Sequence, residues 1–184
     1  MFAARAGHVP IVSMLISRGA ELDAATKLGD PPAWVRPNSQ AGFGFGVGII
    51  RGGTPADRGR RDAATGGMTA IHYAARQGFA GVVDLLVKAG AAVNPREANG
   101  ITPLLMAISN NNMAAANTLL AQGGEVNAQD WYGRTPLWEA VNVRNLYMHN
   151  ATFRNGIDRP PVLDLIKDLL AAGANVNART KETP

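Results

Sequence analysis

Three histidines, a scatter of carboxylates and one stretch rich in both glycine and arginine are the residues of this sequence that could do chemistry. An imidazole can shuttle protons near neutral pH or bind zinc, but either task needs partners at hydrogen-bond or ligand spacing. His8 and His72 stand inside patterned helical segments, where structural roles are expected. His149 has no second His, Asp or Glu at ligand spacing beside it. Neither His-Glu-x-x-His nor Gly-x-Ser-x-Gly occurs. Asp164 and Asp168 lie one helical turn apart, the ordinary arrangement of a solvated helix face. Cysteine is absent, which removes thiolate nucleophiles, disulfides and Cys-ligated zinc together. No catalytic residue, metal site or cofactor is expected, and no small-molecule substrate.

Glycine and arginine together raise the question of a phosphate cradle. Gly48 and Gly53 have the glycine spacing of a phosphate-binding loop, but Thr54 follows where that loop requires lysine. Gly44 and Gly46 would need a glycine at 49 for the dinucleotide fingerprint, and Ile49 stands there with no helical pattern after it. The pieces Arg51-Gly52-Gly53 and Arg58-Gly59-Arg60-Arg61 could touch nucleic-acid phosphates, with Trp34, Phe43 and Phe45 as the stacking aromatics nearby. A net charge of +4, from 18 basic and 14 acidic residues, permits an acidic partner without demanding nucleic acid. No segment approaches the roughly 20 apolar residues of a membrane helix. Val9 to Ile16 behind Arg5 has the size of a signal-peptide core. The register below accounts for those residues better, and a cytoplasmic location is favoured over a secreted one.

That register is a 33-residue repeat. Gly67, Gly100 and Gly133 are 33 apart, as are Gly90 and Gly123, and Asn94 and Asn127. Two longer intervals, Gly19 to Gly90 and Gly123 to Gly173, are the same period with 38 and 17 residues added. Residues 1–27, 67–99, 100–132 and 133–184 are therefore expected to be four repeats, the first incomplete at its start and the last leading into a further finger. Residues 28–66 form one insertion, and about 147–162 form the other. The first insertion holds nine glycines and four prolines, the composition of a partly ordered loop. Within it, Gly42 to Ile50 alternates strictly and could be a strand. The second is expected to be an enlarged loop stopped by Pro160-Pro161.

Each repeat carries the signals of a helix pair. Thr102-Pro103 and Thr135-Pro136 place a capping hydroxyl before a proline at the first helical position, and Thr69 keeps the cap without the proline. Ala74, Ala75, Ala107 and Ala140 are small enough for close approach of neighbouring helices. Val82, Val83, Leu86, Val87, then Leu119, Leu120, then Leu165, Ile166, Leu169, Leu170 repeat at helical spacing. Gly90, Gly123 and Gly173 end those helices. Asn111 replaces the glycine of Gly78 one repeat on. Hairpin fingers are expected from Val93 to Gly100 and from Val126 to Gly133.

The segments Gly67-Met-Thr-Ala-Ile-His-Tyr-Ala-Ala-Arg-Gln-Gly78, Gly100-Ile-Thr-Pro-Leu-Leu-Met-Ala-Ile and Gly133-Arg-Thr-Pro-Leu-Trp-Glu-Ala-Val resemble the ankyrin pattern over roughly 130 residues. The glycine- and arginine-rich finger is similar to those of some bacterial ankyrin proteins. The resemblance implies an all-α repeat solenoid with β-hairpin fingers and a non-catalytic, protein-binding function. Alternatives are an architectural spacer or a nucleic-acid-contacting module through the basic insertion. His72 is implied to brace its turn, and Trp138, at the same position of a later repeat, to be buried core. The concave groove is implied to contain Phe2, Arg5, Tyr73, Arg76, Gln77, Met106, Ser109, Asn110, Glu139 and Asn142. Trp131, Tyr132 and Arg134 are expected to face outward at a finger tip. With Tyr73, Arg76 and Met106 they form the expected contact patch. Neither end of the array carries a polar cap, so the chain is expected to be a segment of a longer array.

Overall fold

The computed structural model describes residues 1–27, 66–149 and 160–181. The bodies of both expected insertions, residues 28–65 and 150–159, lie outside the described residues, as does the alternating stretch 42–50. The described residues form eight helices in four pairs: α1 (Phe2–Arg5) with α2 (Val9–Ser17), α3 (Ala70–Gln77) with α4 (Ala80–Lys88), α5 (Pro103–Ser109) with α6 (Met113–Ala121), and α7 (Pro136–His149) with α8 (Pro160–Ala171). The first helices pack on one another in sequence, α1 on α3 on α5 on α7, and the second helices likewise. Two helical layers therefore run the length of the array.

The helices begin and end where the sequence punctuates them. Thr102 Oγ1 accepts the Leu105 amide at the start of α5, and Thr135 Oγ1 accepts the Trp138 amide at the start of α7. Between paired helices the chain must turn through a left-handed residue. Gly78 does so at φ +81 and Asn111 at φ +59, where asparagine tolerates what other side chains resist. Asn112 then turns back and donates through Nδ2 to the carbonyls of Ala75 and Arg76, satisfying the open end of α3. Gly90, Gly123 and Gly173 follow α4, α6 and α8 with positive φ.

The core lies between the layers and is continuous from pair to pair. Ala74, Ala107 and Ala140 are fully buried, so the first helices meet at backbone distance. Leu86, Leu119, Leu165 and Leu169 fill the gap behind them.

Among the described residues there is no strand. The segments expected as hairpin fingers run through tight turns. One turn is closed by Glu97 N–H to the Ile101 carbonyl and the next by Asp130 N–H to the Arg134 carbonyl. Single bonds connect successive turns: Ala98 to Gly66, Trp131 to Asn99 and Lys181 to Tyr132. Pro160 and Pro161 open α8, in its first turn, where a missing N–H costs nothing. The helix before them runs on to His149, into the expected loop.

His72 binds the array to its next turn. Its Nδ1 accepts the Thr69 N–H at 3.2 Å, which leaves the proton on Nε2, donated to the Ile101 carbonyl at 3.1 Å. Burial drives its pKa down to about 4, against the opposing pull of the carbonyl acceptors. The folded protein thus holds His72 neutral while the unfolded chain protonates near 6.5. The stability this contributes is complete above the unfolded value and is lost as pH falls through the window from 6.5 to about 4. Denaturant melts across that window should show His72→Leu, which installs the residue type of Leu105, losing about 3 kcal/mol less than wild type. Parallel pH profiles for the two proteins would contradict the neutral, buried imidazole.

Candidate functional site: the turn at Trp131

The turn before α7 is organised by one carboxylate. Asp130 Oδ1 accepts the backbone amides of Tyr132 and Arg134, both at 2.9 Å. Asp130 Oδ2 accepts Arg134 Nε at 2.7 Å and lies 2.6 Å from Nη2. A two-pronged guanidinium contact of this kind fixes orientation as well as charge. The Asp130 side chain is almost wholly buried and the Arg134 side chain nearly so. Gly133 sits between them at φ +75, and a Cβ there would meet the Lys181 backbone nitrogen at 2.9 Å. Glycine is the residue that permits both the turn and its contact with residue 181.

Glu97 organises the preceding turn in the same way. Its Oε1 accepts the amides of Asn99 and Ile101, and its Oε2 accepts the Asn99 carboxamide. Sequence reasoning passed over both carboxylates. The signal was present: an acidic residue stands three positions before each turn glycine, at Glu97 and Asp130.

The expected contact residues divide into two sets. Trp131 projects into solvent with 70% of its surface exposed. Tyr73, Arg76 and Met106 are half-buried on the layer of first helices. Arg76 has its pKa lowered by burial and then by the neighbouring Arg5 guanidinium, with Tyr73 opposing. Arg134 is a correction: it does not face outward. It turns inward to two carboxylates, Asp130 and Glu139, the latter 3.5 Å from Nη1. Tyr132 is half-buried with its ring 5.4 Å from the Arg134 guanidinium carbon, a cation–π contact. Trp131 therefore stands apart from the two residues expected to flank it.

Glu139 and Trp138 are corrected as well. Glu139, expected in the groove, is buried with one carboxylate oxygen lacking a hydrogen bond. Burial raises its pKa, while Arg134 and hydrogen bonds with Ser109 and Asn142 oppose the shift. Glu139 turns inward toward Arg134, which already pairs with Asp130, so two carboxylates face one guanidinium there. Trp138, expected in the core, is 38% exposed, whereas Leu105 at the same register position is 1% exposed. A following helix pair covers Leu105; among the described residues none stacks beyond α7 and α8. Thr69, His72, Thr102, Pro103, Thr135 and Pro136 are buried at the helix starts.

No group of three or more His, Cys, Asp or Glu among the described residues could hold a metal, and no described helix is long and apolar enough to cross a membrane. His149 lies at the end of α7, where its side chain is outside the described residues.

A family model comprising three copies of the ankyrin repeat matches residues 49–130 and again 71–180, and a single-repeat ankyrin model matches residues 1–27. No curated protein matches the chain.

The division between inward and outward residues is measurable. Arg134→Ala should destabilise by about 3 kcal/mol, since it strands two buried carboxylates. Trp131→Ala should change stability by less than about 0.5 kcal/mol, as exposed substitutions do. Chemical denaturation of both variants checks the assignment, and a larger loss for Trp131→Ala would reverse it.

Proposed function

The chain belongs to the ankyrin-repeat family, and from that premise we propose that it is a non-catalytic module that grips a partner protein through the Trp131 turn and the layer of first helices. Ankyrin repeats are generally protein–protein interaction modules. The observation that carries the reading is the placement of Trp131. A large aromatic is held in solvent on a turn locked from beneath by the buried Asp130–Arg134 pair. Such a side chain loses little conformational freedom on binding, which is what interface anchors share. Tyr73, Met106 and Arg76 supply aromatic, sulfur and guanidinium contacts from the helices. Arg134 and Tyr132 act through the turn, by positioning Trp131. The adjacent Arg5 and Arg76 favour an acidic stretch in the partner.

The four helix pairs are four repeats in this reading, and residues 28–66 are a loop spliced into the first turn. Support comes from the residues on either side. Thr26 N–H donates to the Met68 carbonyl, and Thr26 Oγ1 accepts the Met68 amide, 42 residues apart. In the later turns the same bonds join Glu97 with Ile101 and Asp130 with Arg134, four residues apart. The turn closes identically whether or not the loop is present. Because loop closure costs only a logarithm of length, replacing residues 28–65 by a two-residue turn should leave helical circular dichroism and cooperative unfolding intact. Loss of helix in the deletion would place those residues in the core.

The binding reading is tested with a photo-crosslinking amino acid at position 131 and, as control, at Leu163 on α8. One protein should cross-link from 131 and not from 163. Its affinity should then fall by about 1–3 kcal/mol with Trp131→Ala or Arg76→Ala, as anchor truncations do. Affinity unchanged by both substitutions would refute the reading.

A further inference from the structure

We propose that Glu139 is a proton-binding site, and that a proton taken up there releases Arg134 wholly to Asp130 and tightens the turn beneath Trp131. The device does not depend on what Trp131 contacts, so it stands or falls apart from the protein-binding reading.

Three charged side chains meet at the start of α7, and two of them are acids. Asp130 already takes Nε and Nη2 of Arg134, at 2.7 and 2.6 Å. What remains for Glu139 is Nη1, and Glu139 Oε2 stands 3.5 Å from it without the geometry of a hydrogen bond. That oxygen is buried and has no hydrogen bond among the described residues, and the residue as a whole is 4% exposed. A buried carboxylate with one oxygen unmatched is costly to keep ionised, and a proton on it removes that cost.

Among the described residues Arg134 is the one cation that faces this carboxyl. α7 packs against α5 and α8. α5 presents Ser109, which hydrogen-bonds the carboxyl, and has no ionisable residue of its own. On α8, Asp164, Lys167 and Asp168 are all exposed, and the first two pair with each other. α7 itself adds Asn142, a second hydrogen-bonding neighbour, and the exposed Arg144. Beside the turn, Tyr132 lays its ring toward Arg134, and Lys181 is exposed. Burial raises the Glu139 pKa and Asp130 raises it further, against Arg134, Ser109 and Asn142. The folded chain therefore favours the protonated acid. Ionised Glu139 lowers stability above its folded value, and the loss is fully relieved below 4.5, where the unfolded chain takes up the proton as well. His72 has the opposite sign, losing stability over the window from 6.5 to about 4. Ionised, Glu139 competes with Asp130 for the guanidinium; protonated, it leaves Arg134 in its two-pronged contact. Asp130 Oδ1 holds the Tyr132 and Arg134 amides, so the turn closes more firmly as the pH falls.

NMR on the full chain provides the test. The Glu139 Cδ resonance should titrate with a midpoint above 4.5, and Arg134 Nε should shift with the same midpoint. Glu139→Gln fixes the uncharged form. At neutral pH it should unfold at a higher urea concentration than wild type, and the difference should close as the pH falls to 4.5. His72 is present in both proteins and cancels from that comparison. At neutral pH the Tyr132 and Arg134 amides should exchange with solvent at least about fivefold more slowly in the variant, the lower end for coupled sites. The Asn99 and Ile101 amides, held by Glu97, should exchange alike in the two proteins. A Glu139 midpoint at or below 4.5 overturns the proposal, as does equal exchange of the Tyr132 and Arg134 amides in the two proteins. If the variant does not fold, the wild-type titration decides: separate midpoints for Glu139 Cδ and Arg134 Nε refute the coupling.

Discussion

A helix of seven to nine residues does not hold itself together in water, and five of the helices here are in that range. The stability of every one depends on the junction with the next pair. Two apolar faces close there over fully buried alanines, while an asparagine or aspartate crosses to the neighbouring turn. Nearly every other feature serves that junction. Left-handed residues return the chain so that both helices of a pair face the same way. His72 fastens one repeat to the carbonyl of the following turn. Asn112 and Gln122 reach back to the pair before them, the former to α3 and the latter to Asp84 on α4.

Because the junctions carry the fold, the turns between repeats are relieved of it and can vary. What a turn must supply is closure, and a side-chain acceptor at one position provides it three times over, from Thr26, Glu97 and Asp130. The identity of the acceptor then sets how much else the turn can carry. Threonine at 26 only closes its turn. Aspartate at 130 has a second oxygen to spare, which captures Arg134 and fixes the backbone beneath Trp131.

That capture also changes the layer of first helices. Arg134 brings Glu139 out of solvent, so the groove position occupied by Tyr73 and Met106 in earlier repeats is filled here by an inward carboxylate. The layer consequently differs along its length, with Arg5 and Arg76 toward α1 and α3 and a buried cluster of two carboxylates around one guanidinium at α7. Such variation of surface residues on a common scaffold is how repeat proteins of this architecture come to differ in what they recognise.

The repeat, its 33-residue register, the helix starts at Thr69, Thr102 and Thr135, and the left-handed Asn111 were legible in the sequence alone. Each depends on residues within one turn of the chain, or on a spacing that recurs. The inward turn of Arg134, the burial of Glu139 and the exposure of Trp138 were not legible. A pattern assigns a position the environment it has in an average repeat. An ion pair between neighbouring positions, or a repeat's place in the described array, alters that environment without altering the pattern. Trp138 shares its register with the buried His72 and Leu105, and only the stacking of one pair on the next decides which of the three is covered. Local chemistry determined where helices begin and turns close; burial belongs to the whole array, because it is supplied by residues a full repeat away.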